Sequence, residues 1–426
     1  MTISRRDFLA ASSAVAAGLS ILPASAEGAN EKIRVCTIGV QNRGRAHIAG
    51  LLAAEKAEVV ALCDVDAQVL DREAKALEEK TGKKPKLFKD IRDVLADPEI
   101  DAITIAMPNH WHVLAAIWGL EAGKHVYVEK PMCHTYWEGL QLVAAEQKSD
   151  KILMHGTQRR SEPLWQRMVA RANSGVIGDI YLARCVCFNR RDAIPIQADE
   201  EPPEWLDWSL WQGPSMEQAF NKNYVHYNWH WFWRYGNGEV GNNLVHFTDI
   251  ANWTLNRGLP VKVHSEGGRF GYEDAAETPN TQVATATFAD GTMLVNEVRG
   301  RYSPPEHNTQ VGMFLYGSEG WMAEGKFFDT TGKEIPDEEG FERVNATNVH
   351  INNFIEAVAT GDRGRITSTA RHGMEAAAIC HLGDISFRTG RTVHFDPEKH
   401  LIKSDAEAHG LLTKEYRQGF EVPKLA

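Results

Sequence analysis

A short run of β-branched and aromatic residues that stops at a charged pair and a proline constrains this chain most. Residues 126–128 (Val-Tyr-Val) have the composition of a buried parallel strand, and Pro131 cannot continue a ladder. Lys130 is therefore left at the carboxyl end of the strand, where open α/β sheets bind ligands. A lysine held there and partly desolvated has a lowered pKa and exchanges protons with a substrate hydroxyl. The alternative is a solvated loop lysine.

The first strand of the chain leads into a glycine-rich turn and then a helix. Residues 33–38 are mostly apolar, and an amphipathic run follows over residues 45–56. Strand, glycine turn and helix in this order typify a dinucleotide motif, in which the pyrophosphate lies on the free amides of the helix N-terminus. Gln41 replaces the middle glycine of that motif, so a tight turn without a ligand is the alternative. The candidate dinucleotide contacts are Gly39, Gln41, Asn42, Arg43 and Gly44.

A second buried strand, residues 59–64, ends in an acid 20 residues after Gly44. A carboxylate at this place accepts hydrogen bonds from the adenosine ribose 2′-hydroxyl and repels a 2′-phosphate. Asp64 therefore favours NAD over NADP. Two alternatives stay open: Asp64 is a simple helix N-cap, or Asp66 takes the ribose role.

Strands and helices continue to alternate up to residue 152. Helices are predicted at residues 71–80, 91–95 and 113–122, and a strand at residues 102–106 delivers Pro108, Asn109 and His112 to the same sheet edge. Elements of this length predict a doubly wound parallel sheet, and hence an α/β Rossmann domain over residues 31–152.

From residue 153 to about 390 the pattern changes to separate strands. Strand-like segments lie at residues 181–188, 261–270, 281–288, 293–298 and 312–316, and Asp290-Gly291 is a hairpin signal. This half is predicted to be an α+β domain with a large, mostly antiparallel sheet covered by helices on one face. Residues 391–426 form a charged arm that packs on a partner or folds back.

The second half contains an unusually aromatic stretch at residues 224–235. Seven of the twelve tryptophans fall between Trp205 and Trp253. Aromatic faces with polar edges suit sugar rings, so Tyr227 and Trp229 are candidate substrate contacts. An aromatic core around a long loop is the alternative. The charged or polar candidates for sugar hydroxyls are Arg159, Arg160, His226 and His230.

A loop with three glycines, residues 236–241, leads into a predicted helix. Its apolar positions share one stripe, and the opposite stripe, which is predicted to meet a substrate, carries Asn242, His246, Asp249 and Trp253. For His246 the alternative is a hydrogen-bonded core histidine.

The glycine turn, the Pro108-Asn109-His110 loop and the Glu129-Lys130-Pro131 motif together resemble the Gfo/Idh/MocA family of NAD(P)-dependent oxidoreductases, over about residues 32–390. The resemblance implies that Lys130 is the catalytic lysine and that His246 works with it. It also places Asn242 where the family has an aspartate. An amide binds a hydroxyl but cannot act as a base, so proton transfer falls to Lys130 and His246.

The same resemblance implies further contacts and an assembly. Pro108 and Asn109 would line the cofactor, and His134 would lie close to the nicotinamide ribose. His112 and Glu129 complete the candidate cofactor contacts. Family members commonly use the open sheet face for oligomer contacts, so a homodimer or homotetramer is expected.

Residues 1–30 have the pattern of a targeting segment. Paired Arg5 and Arg6 precede a short apolar run and a small-residue site at residues 24–26, which resembles a twin-arginine export signal and predicts a periplasmic or secreted protein. An ordinary secretory signal or a membrane anchor is the alternative. The net charge of -11 argues against nucleic-acid or anionic-membrane partners. Neither the six cysteines nor the histidines have metal-ligand spacing, so no metal site is predicted.

These observations lead to one hypothesis and two alternatives. The hypothesis is an exported oxidoreductase that acts on a carbohydrate or polyol hydroxyl with a tightly bound NAD, regenerated within each cycle because free NAD is scarce outside the inner membrane. The first alternative is glycoside cleavage by oxidation, elimination and reduction with the same cofactor. The second is a non-catalytic sugar sensor, against which the presence of both Lys130 and His246 counts.

Overall fold

Parallel strands rich in β-branched residues build the first sheet. The computed structural model describes residues 32–337, 340 and 344–426, so the predicted export signal at residues 1–30 lies outside the described residues. Six strands pair in parallel in the order β3-β2-β1-β4-β5-β6. They are β1 (Ile33–Ile38), β2 (Ala57–Cys63), β3 (Lys86–Phe88), β4 (Ala102–Ile105), β5 (His125–Glu129) and β6 (Leu153–Gly156). The predicted doubly wound parallel sheet is confirmed.

Helices cover both faces of this sheet. Along β5, Val126 and Val128 face one core cluster, whereas Tyr127 between them faces another, as the alternation of strand side chains requires. The helices are α1 (Arg43–Ala53), α2 (Ala67–Thr81), α3 (Ile91–Ala96), α4 (His112–Glu121) and α5 (Tyr136–Lys148). Side chains of Asp66 and Thr135 cap α2 and α5, which fixes where these helices begin.

Ten strands in the described part of the second half form a larger sheet, in the order β14-β13-β12-β11-β7-β10-β9-β8-β15-β16. The central strands β7 and β10 pair in parallel, and the other pairs are antiparallel. The strands are β7 (Ile180–Cys187), β8 (Lys262–Gly268), β9 (Thr281–Thr287), β10 (Met293–Arg299), β11 (Val311–Gly317), β12 (Gly320–Ala323), β13 (Lys326–Asp329), β14 (Glu334–Ile335), β15 (Val393–Asp396) and β16 (Leu401–Ile402). The predicted mostly antiparallel sheet is confirmed.

The longest helix of the second half, α10, packs against α5, α8 and β8 and so connects the two sheets. A π-helical turn, Val240–Leu244, immediately precedes α8. The helices are α6 (Pro163–Asn173), α7 (Trp208–Gln212), α8 (Val245–Leu255), α9 (Ala346–Thr360), α10 (Ala370–Thr389) and α11 (Ala406–Gly410). Short 3-10 segments lie at Asn109–Trp111, Gln158–Ser161, Asn228–Trp231 and Arg363–Arg365.

The chain returns twice to the first sheet after building the second. Ile351 and Phe354 of α9 share a core with Leu51 of α1. The C-terminal arm also folds back, because Lys414 forms an ion pair of 2.8 Å with Glu138 of α5. The sequence left open whether this arm packs on a partner or folds back, and in the described structure it folds back.

Buried cysteines and aromatic residues fill the second half. All six cysteines are free and buried, and Cys185 and Cys187 lie in the main core. Much of the aromatic stretch is core as well: Trp229, Trp231, Phe232 and Tyr235 are buried. Tyr235 packs on Trp208 and Trp211, with ring centroids 6.2 and 4.8 Å away.

The ion pair between Arg160 and Asp249 joins the segment after β6 to α8. Arg160 donates three hydrogen bonds of 2.8 to 3.0 Å to Asp249, and the two side chains are 5% and 1% exposed. We expect Arg160→Met to lower the free energy of unfolding by about 3 kcal/mol or more, because a buried carboxylate loses its partner. Urea unfolding measures this.

A matched control for that variant is Arg257→Met, which removes the exposed pair with Asp290. It should cost much less than Arg160→Met, because exposed ion pairs contribute little to stability. A loss for Arg160→Met no larger than that of the control would contradict the structural role of the buried pair.

Candidate active site

A cleft lies along the carboxyl edge of the first sheet and continues towards the second half. It contains most of the residues that the sequence singles out for the cofactor, together with four residues of the aromatic stretch. The predicted site residues that line it are Gly39, Gln41, Asn42, Arg43, Asp64, Pro108, Asn109, His112, Glu129, Lys130, His226, Tyr227, Trp229, His230 and Asn242. Strand order explains this, because loops after neighbouring parallel strands meet at one edge.

Two glycines shape the turn between β1 and α1. Gly39 has φ +77°, and a Cβ there would stand 2.8 Å from the carbonyl oxygen of Ala106. A Cβ on Gly44 would stand 1.9 Å from the carbonyl oxygen of Gly39. Gly44 therefore closes the turn from behind rather than lining the cleft. Both positions require glycine.

The end of α1 that faces the cleft suits an anion. Within the described residues, Asn42 makes no capping bond and the first turn carries no acid. Gln41, which stands where the motif has glycine, turns its side chain so that Oε1 accepts a hydrogen bond of 3.0 Å from Arg72. The free amides and the positive end of the helix fit the pyrophosphate of a dinucleotide.

Asp64 ends β2 and faces the same cleft. Its carboxylate accepts hydrogen bonds from the backbone N–H of Val40 (2.9 Å) and of Asp66 (3.0 Å), and burial raises its pKa. The helix cap is Asp66, whose Oδ1 accepts from two amides of α2 and whose Oδ2 lies 3.1 Å from His226. The N-cap alternative for Asp64 is therefore wrong, and Asp66 is already committed to other partners.

Lys130 spans from the end of β5 to the π-helical turn of the second half. Its Nζ donates hydrogen bonds to the backbone oxygen of Asn242 (2.6 Å) and to Oδ1 of the same residue (3.1 Å). Both acceptors are uncharged. Burial lowers the pKa of Lys130 to about 8, because desolvation of the ammonium outweighs the attraction of Glu129.

Glu129 and Arg43 line the cleft but bind each other. Arg43 Nε donates to Glu129 Oε1 at 2.6 Å, and His47 Nε2 lies 3.0 Å from the same oxygen. Burial opposes the charged form of Glu129, yet Arg43 and His47 hold its pKa well below the usual range. Arg43 also donates to Thr347 Oγ1 at 3.0 Å, which ties α1 to the start of α9.

His246 lies on α8 one turn after Asn242 and is half-buried. Burial, together with the positive charges of Lys130 and Arg159, holds its pKa well below the usual range, so the imidazole is neutral. Its Nδ1 has no hydrogen-bond partner among the described residues. A buried nitrogen without a partner is not what a satisfied core histidine provides.

Two other predicted cofactor residues hold the loops of the edge in place. His112 Nδ1 and Nε2 each lie 2.7 Å from a backbone oxygen, of Pro131 and Met107 respectively. Asn109 Nδ2 donates to Asn237 Oδ1 at 3.0 Å.

His134 is not brought to the cleft. It is buried, and its Nδ1 lies 2.9 Å from Lys414 of the C-terminal arm. A position of His134 close to the nicotinamide ribose stays a prediction.

Three more predicted contacts lie elsewhere. Arg160 and Asp249 are consumed by their own buried ion pair, so neither faces a substrate. Arg159 lies in a second depression, with its guanidinium 4.4 Å from the ring centroid of Phe247. Asn242 lies in a π-helical turn, Val240–Leu244, and Asp249 lies in the α-helix after it. The regular helical periodicity that put Asp249 beside Asn242 therefore does not hold.

Sequence reasoning missed part of the cleft wall. Leu206, Leu210 and Trp211 line the cleft from a segment that precedes the aromatic stretch. Trp111 Nε1 lies 3.1 Å from the backbone oxygens of both Leu210 and Trp211. These contacts join residues about a hundred positions apart, and no local pattern announces them.

Family models match both halves of the chain. Residues 33–157 match that of the oxidoreductase family, NAD-binding Rossmann fold, and residues 192–422 match the oxidoreductase family, C-terminal alpha/beta domain. The chain belongs to the Gfo/Idh/MocA oxidoreductase family. The resemblance drawn from the motifs is thereby confirmed, and residues 33–157 are an NAD-binding Rossmann domain.

This Gfo/Idh/MocA member resembles proteins whose names indicate different activities. A "Glycosyl hydrolase family 109 protein" of Shewanella baltica (strain OS155) is 25% identical over 335 residues, which cover 72% of this chain and 69% of the relative. The WlbA dehydrogenase from Bordetella pertussis, solved in complex with NADH and UDP-GlcNAcA, has a TM-score of 0.64 at 22% identity and covers 86% and 99% of the two chains. Apo scyllo-inositol dehydrogenase from Lactobacillus casei has a TM-score of 0.61 at 18% identity and covers 85% and 98%. These two structures show the shared fold.

The described residues of this Gfo/Idh/MocA member contain neither a candidate metal cluster nor a candidate membrane-spanning helix. Residues 32–337, 340 and 344–426 contain no cluster of three or more His, Cys, Asp or Glu side chains placed to hold a metal ion. In the same residues no helix has both the length and the apolar composition needed to span a bilayer.

The lowered pKa of Lys130 predicts an unusual amine. Its neutral fraction, and with it its rate of acetylation by acetic anhydride, should rise through about pH 8. Mass spectrometry of the Lys130 peptide over a pH series measures this, with exposed Lys75 as the internal reference. A Lys130 profile that coincides with that of Lys75 would refute the shift.

Proposed function

We propose that this protein oxidises a hydroxyl-bearing carbon of a carbohydrate or polyol with NAD that stays bound and is regenerated within each cycle by reduction of a second sugar or ketone. The observation that carries the proposal is the Lys130 amine, held against Asn242 at the carboxyl edge of an NAD-binding domain with its pKa lowered to about 8. When bound, NAD supplies a two-electron hydride acceptor.

The proton chemistry falls to two residues of this chain. A neutral Lys130 amine takes the proton of the substrate hydroxyl, and the ammonium returns it in the reverse direction. The neutral imidazole of His246 offers a second group that accepts or donates a proton. Asn242 orients a hydroxyl through its amide but holds no proton to exchange.

The turn after β1 and the end of β2 would hold the cofactor. The amides at the start of α1 fit the pyrophosphate, and the carboxylate of Asp64 fits the ribose hydroxyls. The negative charge of Asp64 would repel a 2′-phosphate, which supports NAD over NADP.

Retention of the cofactor is supported by the segment that covers the cleft. Residues 206–211 are tied to the first domain through Trp111 and through His110 Nε2, 3.1 Å from the Trp211 backbone oxygen. On the other side, Arg417 of the C-terminal arm donates to Ser209 Oγ at 3.1 Å. A cleft closed by these contacts suits the export that residues 1–30 suggest, because twin-arginine export carries folded proteins with their cofactors.

A second candidate function is NAD-dependent glycoside cleavage. The glycosyl hydrolase family 109 relatives favour it. Oxidation of one carbinol would acidify the neighbouring C–H, and elimination would break the glycosidic bond as the aglycone leaves with a proton. Water would then add to the double bond so formed, and the hydride and a proton would return to the ketone. Lys130 and His246 would supply the proton transfers in this route too.

We also propose a homodimer or homotetramer. On the face of the larger sheet opposite α10, Val283 is exposed at 42% and Tyr316 is only partly buried, and such apolar side chains suit contact with a second copy.

Incubation with free sugars, polyols and aryl glycosides separates the two functions. We expect sugar or polyol conversion, followed by mass spectrometry, without aglycone release under the leading proposal, and aglycone release under the second. Lys130→Ala should lower either turnover about a hundredfold or more, since an acid–base group is lost. Unchanged turnover in Lys130→Ala would refute both, and sugar binding without conversion would identify a sensor.

Cofactor retention has its own test. Protein purified without added nucleotide and then denatured should release close to one equivalent of NAD(H), because retention through purification needs a dissociation constant well below micromolar, or more than about 8 kcal/mol. Trp211→Ala opens the cover and should lose nucleotide on gel filtration, whereas Trp321→Ala on the remote β12 should keep it. An empty protein, or one loaded with NADP, would contradict the proposal.

A further inference from the structure

A buried ion pair lies directly before the π-helical turn that receives Lys130. Arg191 Nε and Nη2 donate to the two carboxylate oxygens of Glu239 at 2.7 and 3.0 Å. The Glu239 side chain is 5% exposed and that of Arg191 is 22% exposed. Such bidentate contacts fix geometry as well as charge, because both donors belong to one planar group.

Glu239 also binds the neighbour of Asn242 and the end of a strand. Its Oε1 accepts a hydrogen bond from Nδ2 of Asn243, inside the turn, and lies 3.5 Å from the sulfur of Cys187, the last residue of β7. One carboxylate thus anchors the turn to the centre of the larger sheet.

The turn itself presents the Lys130 acceptors. Both the backbone oxygen and Oδ1 of Asn242 contact the Lys130 Nζ, so the lysine is positioned only if this turn keeps its shape. π-Helical turns are departures from ideal helix geometry that proteins keep at functional sites, and they need supporting contacts. Glu239 and Arg191 supply them.

We propose that Glu239 and Arg191 are positioning residues for Lys130: their ion pair holds the π-helical turn so that Asn242 receives the Lys130 ammonium. The inference rests on the proposed role of Lys130 as the group that exchanges the substrate proton. Arg191 extends the effect to the substrate end of the cleft, because its Nη1 lies 3.4 Å from the hydroxyl of Tyr227.

The pair also places two opposite charges near the lysine. The Glu239 carboxylate favours the Lys130 ammonium, and the Arg191 guanidinium disfavours it, so the two effects oppose each other while the pair is intact. The other titratable and charged groups around Lys130 are Glu129, Arg43, His112, His230 and His246.

Because Glu239 and Arg191 carry opposite charges, removing each should shift the Lys130 pKa in opposite directions. General structural damage would not produce shifts of opposite sign. Glu239→Gln removes the charge that favours the ammonium and should lower the Lys130 pKa by about half a unit or more. Arg191→Met removes the opposing charge and should raise it by a similar amount. The Glu239→Gln/Arg191→Met double variant should lie between the two. The pH dependence of Lys130 acetylation, read by mass spectrometry on the full chain, measures all three without a substrate.

Two controls keep the result interpretable. Arg184→Met breaks a partly buried ion pair with Glu297 on the face of the larger sheet opposite α10 and should leave the Lys130 profile unchanged while lowering the Tm. Arg191→Lys keeps the charge but loses the fork, and should raise the Lys130 pKa less than Arg191→Met does. Arg191→Gln, which also removes the charge, replaces Arg191→Met if that variant does not fold.

Shifts of opposite sign in Glu239→Gln and the Arg191 variant support the inference. No shift in either, or shifts of the same sign, would overturn it. If the pKa shifts appear but Lys130→Ala keeps full turnover, the positioning of the lysine stands and the proposed function fails, so the two failures are distinguishable.

Discussion

The hydrogen bonds between the Lys130 ammonium and Asn242 join the end of the parallel strand β5 to the π-helical turn before α8. A buried ammonium is costly, and two neutral oxygens compensate for only part of its lost hydration. The lysine is therefore poised between its two protonation states. Any protein that places such a group at the edge of a nucleotide-binding sheet must hold both sides of the contact rigidly.

On the side of the first sheet that rigidity comes from Glu129. Its carboxylate is held by Arg43 from the start of α1 and by His47 one turn later, so the residue before Lys130 is fixed to the helix whose amides face the cleft. Arg43 continues the connection to Thr347 at the start of α9. Lys130 and the start of α1, which faces the dinucleotide end of the cleft, are thus connected through Glu129. A change in the glycine turn would alter the position of Lys130 through Arg43.

Local pattern was enough to predict the elements but not their long-range partners. The strand at residues 126–128, the glycine turn and the strand ending at Asp64 each carry their own periodicity, so the parallel sheet and its edge followed from the sequence. The Arg160–Asp249 pair did not follow from the sequence. A polar residue on one stripe of a helix gives the same pattern whether it faces a substrate or forms a buried ion pair with a distant residue. The contact of His134 with Lys414 was not predicted for a related reason, because the two residues lie 280 positions apart. The place of residues 206–211 at the cleft could not be predicted, because it depends on long-range contacts and not on a local pattern.

The C-terminal arm gives the first domain a dependence on the order of synthesis. Tyr416 and Leu425 bond to Glu138 and Gln141, partners 278 and 284 positions earlier in the chain. During translation, α5 is synthesised long before the residues that cover it. The same holds for Trp111, whose ring centroid lies 5.6 Å from that of Phe420 in the folded protein. Domains that leave the ribosome first generally fold first. Here the nucleotide-binding domain acquires its last surface only when the final residues arrive, so a prematurely ended chain exposes aromatic surface that a protease or chaperone recognises.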